Sequence, residues 1–181
     1  MSAKILVAGV GNIFLGDDAF GVEVANVLGR RQLPENVTVK DFGIRGFDLA
    51  YALLDPWDAV ILVDALPRGE APGTLYVIEP NLAEIGSPAA EMAINPHGMD
   101  PVRVLSLAAS LGTISAQVLV LGCEPHDFGD ELEGRMGLST PVQSAVEEAC
   151  NMVEELAARI LETKQMKTKQ MDSTQLQTVE R

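Results

Sequence analysis

The chain has 181 residues, 47% of them apolar, which is enough for one domain with a sizeable core and too many for a disordered chain. Acidic residues outnumber basic ones by 26 to 13, and the formal charge of −13 disfavours nucleic acid and anionic membrane surfaces as partners. Two cysteines, Cys123 and Cys150, are too few for a disulfide scaffold or a Cys-rich zinc module and read as reduced core residues.

Short apolar runs alternate with longer amphipathic ones along the chain. That alternation predicts an α/β fold, a three-layer sandwich whose parallel-rich central sheet of about five strands carries helices on both faces. The first strand is predicted at 4–9 and a helix at 19–31, with Val22, Ala25 and Leu28 facing inward. A second strand at 37–40 ends at Asp41, a short helix follows at 47–54, and 58–64 is the most apolar strand, of the kind buried on both faces. After a turn at 67–73, residues 74–79 form another strand. Residues 80–101, rich in Pro, Gly, Ser and Asn, read as a long loop or loosely helical segment, and such loops tend to be functional. Asp100 and Pro101 then start a helix as N-cap and first helical residue, with Val104, Leu105, Ala108 and Leu111 as its apolar stripe.

A further strand lies at 117–123 and an irregular stretch at 124–139. The last helix opens on Thr140-Pro141-Val142-Gln143, with Thr140 as cap, and its apolar positions recur at helical spacing from Val142 to Ile160. Loss of that pattern divides a single domain, 1–162, from a polar tail, 163–181, expected to be flexible. No signal-peptide layout and no run of ~20 apolar residues occurs, so the expectation is a soluble cytoplasmic protein, by default a monomer.

Chemistry concentrates where strands should end. The loop Gly9-Val10-Gly11-Asn12-Ile13-Phe14-Leu15-Gly16-Asp17-Asp18 follows the first strand, and Asp64 closes the central apolar run. Open α/β sheets gather function beyond the carboxyl ends of their strands. A dinucleotide fingerprint fails here: it needs glycine at Phe14, and Asp17 and Asp18 would repel a pyrophosphate. There is no H-E-x-x-H or G-x-S-x-G motif, and neither cysteine sits in a loop that would expose a thiolate. A divalent-metal site fits better, with carboxylate oxygens and one imidazole as ligands. Asp64 is the firmest candidate, since a carboxylate on a buried strand needs a partner or a cation. Asp18 or Asp17 has an alternative use as a helix N-cap. His97, in the turn Asn95-Pro96-His97-Gly98, and His126, beside Asp127 and Asp130, are equal candidates on spacing.

Several segments resemble the nickel–iron hydrogenase maturation endopeptidases. They are Gly9-x-Gly11-Asn12-Ile13-x-Leu15-x-Asp17-Asp18-x-x-Gly21-Val22, Asp41-x-Gly43-x-x-Gly46, Val63-Asp64-Ala65, Ala71-Pro72-Gly73-Thr74, Pro96-His97 and Gly137-Leu138-Ser139-x-Pro141-Val142. They run in order over residues 4–160 and are specific as a set. The resemblance implies a metal-dependent endopeptidase that removes a C-terminal extension from the precursor of a hydrogenase large subunit once nickel is in place. By position it makes Asp18, Asp64 and His97 the catalytic metal ligands, the nickel coming from the substrate, and it favours His97 over His126. It links Asp41, Gly43, Arg45 and Gly46 to substrate recognition. The competing readings are a non-catalytic metal-sensing assembly chaperone and a small-molecule hydrolase on the same fold.

Overall fold

The computed structural model describes residues 3–85, 100–129 and 133–179. Five strands make one sheet: β1 (Ile5–Val10), β2 (Val37–Gly43), β3 (Ala59–Ala65), β4 (Leu75–Ile78) and β5 (Gln117–Cys123). Their spatial order is β2-β1-β3-β5-β4. All pairings are parallel except β4 with β5, so the sheet is parallel with one antiparallel edge.

Among the described residues four helices cover it, namely α1 (Phe20–Leu28), α2 (Gly46–Ala52), α3 (Pro101–Leu111) and α4 (Thr140–Val179). The period-2 alternation of the strands sorts the core into two layers. Ile5 and Val7 of β1 and Ile61 and Val63 of β3 pack under α1 and α4, against Phe20, Val24, Val146 and Val153. Leu6, Ala8, Val60 and Leu62 pack on the opposite side against Leu49 and Leu53 of the α2 region and Val104 and Leu105 of α3. β3 is buried along its whole length, as its unbroken apolar run predicts. The expected three-layer α/β sandwich is the observed one.

Boundaries differ in instructive ways. α1 begins only after a 3-10 turn at Gly16–Ala19, because Asp17 and Asp18 are engaged elsewhere and neither caps the helix. β2 runs on to Gly43 by slipping register between Gly9 and Val10, a bulge that Gly43 absorbs at φ +52°. Leu111, predicted in the stripe of α3, is 45% exposed. In α4 the Gln143 N–H reaches the Ser139 carbonyl at 2.8 Å, so Ser139 rather than Thr140 holds the cap position. That helix continues to Val179, past the end of its apolar pattern. Asp100 caps α3 as expected, its Oδ1 accepting from the Val102 N–H at 2.8 Å. No helix among the described residues is long and apolar enough to cross a membrane.

Candidate functional site

The strand order fixes where a site forms. From β1 the chain passes through α1 to β2 on one side, then returns through α2 to β3 on the other. The carboxyl ends of β1 and β3 therefore flank a topological switch point, the crevice where such sheets bind ligands. Gly9 of β1 lies opposite Val63 of β3, so the loop after β1 and Asp64 leave the sheet side by side.

Glycines let α1 close on that edge. A Cβ on Gly21 would lie 2.0 Å from the Val63 carbonyl oxygen and 2.3 Å from that of Val10. A Cβ on Gly11, at φ +134°, would lie 1.7 Å from the Asp18 carbonyl oxygen. Only bare backbone permits these contacts, and they press the Asp17-Asp18 turn onto the ends of β1 and β3.

Asp18 is 8% exposed, and its Oδ2 accepts from the Asn12 N–H at 2.8 Å. Burial raises its pKa, with the Asn12 bond opposing. Asp64 is 3% exposed, and its Oδ1 accepts from the Ala65 N–H at 2.8 Å. Its pKa is raised well above the ordinary carboxylate value, by burial first, then by the charge of Asp18, and further by that of Asp100. Two buried carboxylates repelling each other at a strand end are chemically suited to a divalent cation, which would relieve both the desolvation and the repulsion. The donor set thus fits the metal site the sequence predicts, as far as two of its three ligands are concerned. His97 lies outside the described residues, and among those described no three His, Cys, Asp or Glu side chains surround one point.

His126 has an exposed side chain, and it is its backbone N–H that enters the site region, donating to Asp17 at 2.8 Å. Cys123 and Cys150 are free and buried, and burial pushes the Cys123 thiol up to about 12, so neither is a poised nucleophile. Asp41, Gly43, Arg45 and Gly46 lie beside the crevice at the β2–α2 connection. Asp41 stands opposite Gly9, and the Gly11 N–H donates to the Gly43 carbonyl at 3.1 Å. Arg45 folds back, its Nε donating to the Phe42 carbonyl at 3.1 Å and its terminal nitrogen to the Asp41 carbonyl. Asp41, Gly43 and Arg45, together with Asn12 and Phe14, line a cavity of about 290 Å³.

Three carboxylates have supporting roles that a reading of the sequence does not assign. Asp100 stands out there only as a cap, yet its charge reaches Asp64. Glu124, 5% exposed, accepts from the N–H groups of Arg68 (2.7 Å) and Gly69 (3.1 Å) and ties down the loop that follows Asp64. Asp17 is fully buried and accepts four hydrogen bonds from segments more than 100 residues away. The sequence signals were the place of Asp17 beside Asp18 in the loop after the first strand and the adjacency of Asp100 to Pro96-His97.

A family model for hydrogenase maturation proteases, named HycI, matches residues 22–156. The chain belongs to the hydrogenase maturation protease family. It is 33% identical over 153 residues to the hydrogenase 2 maturation protease of Escherichia coli K12, covering 83% of this chain and 88% of that one. It is 34% identical over 128 residues to the hydrogenase expression/formation protein HupD of Bradyrhizobium diazoefficiens, covering 70% of this chain but only 65% of that relative's length. Its fold is similar to that of the hydrogenase maturating endopeptidase HybD from E. coli, with a TM-score of 0.67 at 30% identity over 83% of this chain and 89% of that one.

Proposed function

We propose that this member of the family is an endopeptidase that removes the C-terminal extension from the precursor of a nickel–iron hydrogenase large subunit after nickel insertion. Asp18, Asp64 and His97 engage the nickel that the substrate carries. The observation that carries this reading is the placement of Asp18 and Asp64 together, buried, at the switch point of a maturation-protease fold.

Chain geometry supports the third ligand. Asp100 lies near enough for its charge to act on Asp64. Position 97 is three residues before it, a reach of at most about 11 Å. The precursor's nickel supplies a Lewis acid at the scissile peptide. The protein's share is to hold carboxylates that are incomplete without it, so that cutting waits on the metal. Recognition falls to the segment from Asp41 to Gly46 and its surroundings, where Phe14, Ile44, Phe47 and Tyr51 are all more than half exposed. Aromatic and aliphatic side chains left in water beside a crevice mark a protein-binding surface.

The test incubates the full chain with nickel-loaded and nickel-free precursor and weighs the products by mass spectrometry. Loss of a C-terminal peptide from the loaded form alone is the expected result. Cleavage of both forms removes the nickel dependence. Tight precursor binding with no change of mass transfers the assignment to a non-catalytic chaperone.

A further inference from the structure

We propose that Asp17 is a positioning residue: its carboxylate locks the Asp18 turn to the loop at 126–127 and to the start of α4, and so sets where Asp18 stands relative to Asp64. The inference rests on the roles proposed above for Asp18 and Asp64.

Adjacent aspartates in one short turn have opposite surroundings. Asp17 Oδ1 accepts from the Ser139 N–H at 2.6 Å. Its Oδ2 accepts from the Ser139 hydroxyl at 2.8 Å, the His126 N–H at 2.8 Å and the Asp127 N–H at 3.1 Å. The backbone is stitched to the same segments. Asp17 N–H donates to the Asp127 carbonyl at 3.1 Å, Gly16 N–H to that of Arg135 at 2.7 Å, and Arg135 N–H to that of Phe14 at 2.7 Å. Gly16, at φ +53°, lets Asp127 approach so closely that a Cβ would lie 2.9 Å from its carbonyl oxygen.

The turn is therefore boxed on two sides, by Gly11 against the Asp18 carbonyl and by the 126–128 loop against Gly16. Apolar contacts would hold such a turn in place but leave it free to slide, whereas four directional bonds to one carboxylate fix translation and rotation together. Asp18 follows Asp17 directly and inherits that position.

Asp17→Asn keeps the shape but replaces one acceptor oxygen with an NH2 that must face a donor, whichever way the amide turns. Ser139→Ala removes a single bond and leaves the other three. The full-length variants are compared in two measurements: calorimetric titration with a nickel salt, and cleavage of nickel-loaded precursor at a temperature well below each Tm. For Asp17→Asn, kcat is expected to fall about tenfold or more, with KM within about twofold and nickel affinity weakened severalfold. Ser139→Ala should move the same way by a smaller factor.

A folded Asp17→Asn with wild-type kcat and wild-type nickel affinity, whatever its Tm, makes Asp17 a structural residue only and overturns the proposal. If that variant does not fold, Ser139→Ala decides by the same two numbers. If the wild type binds nickel but cuts no precursor, the protease reading fails on its own, and unchanged nickel affinity in the variants overturns positioning separately. A wild type that does neither removes both.

Discussion

Asp64→Asn should make the protein more stable and inactive, and the size of the gain should depend on pH. The carboxylate is 3% exposed, with its pKa raised by burial and by the charges of Asp18 and Asp100. Between the ordinary carboxylate pKa and the raised folded value, the native chain holds a proton that the unfolded chain has released. Stability therefore falls as pH rises through that window. Each unit of displacement removes about 1.4 kcal/mol once the pH is above the folded value. An asparagine escapes this, keeps the shape, and can still accept from the Ala65 N–H through Oδ1.

The expected gain near pH 7 is of the size that single stabilising substitutions commonly bring, about 1–2 kcal/mol. For a domain of this size that is a Tm rise of about 2–8 °C. Thermal unfolding followed by circular dichroism from pH 4 to pH 8 checks it. The two proteins should converge at the acid end, where Asp64 is protonated in both states. Added nickel should raise the wild-type Tm by mass action and leave Asp64→Asn unmoved. A variant no more stable than wild type at pH 7, or a gap that fails to close on acidification, refutes the reasoning that this carboxylate is held at a cost to the fold.

Three further outcomes follow from the same geometry. Gly21→Ala forces α1 off the sheet, because its Cβ meets the Val63 and Val10 carbonyls at 2.0 and 2.3 Å. A loss of about 3 kcal/mol or more is expected, which a denaturant titration reads directly. Replacing Ile44 and Phe47, which are 67% and 69% exposed, with serine should raise KM for the precursor severalfold while changing stability by less than about 0.5 kcal/mol. Steady-state kinetics and a melting curve on the double variant separate the two effects. His97→Ala should abolish processing with the fold intact, whereas His126→Ala should process normally, since that residue reaches Asp17 through its backbone; mass spectrometry of precursor incubated with each variant tells the imidazoles apart.

What the sequence disclosed and what it withheld divide along a physical line. The layers were legible because β1 and β3 read as short unbroken apolar runs while burial imposes a period of 3.6 on α1 and α4, and Asp64 was legible because it breaks such a run at its carboxyl end. Asp17 and Asp18 could not be told apart, since as neighbours at a helix start both fit a capping role. Their difference lies in donors at 126, 127 and 139, which no local pattern connects to residue 17. The antiparallel direction of β4 was hidden for a similar reason, because strand direction depends on the path of the connecting chain and leaves no mark on composition.

The pairing of the two aspartates also makes sense of their order in the chain. On the proposed reading, a carboxylate that engages the substrate's metal stays short of hydrogen bonds and cannot itself anchor the turn that carries it. On that reading the four donors to the preceding carboxylate anchor the turn one residue away, while the Asp18 carboxylate accepts one hydrogen bond among the described residues. The two acids titrate in opposite directions for that reason: burial raises the pKa of Asp18 against the single Asn12 bond, whereas at Asp17 burial is outweighed by the donors of Ser139, Asp127 and His126, which hold its pKa below the ordinary value.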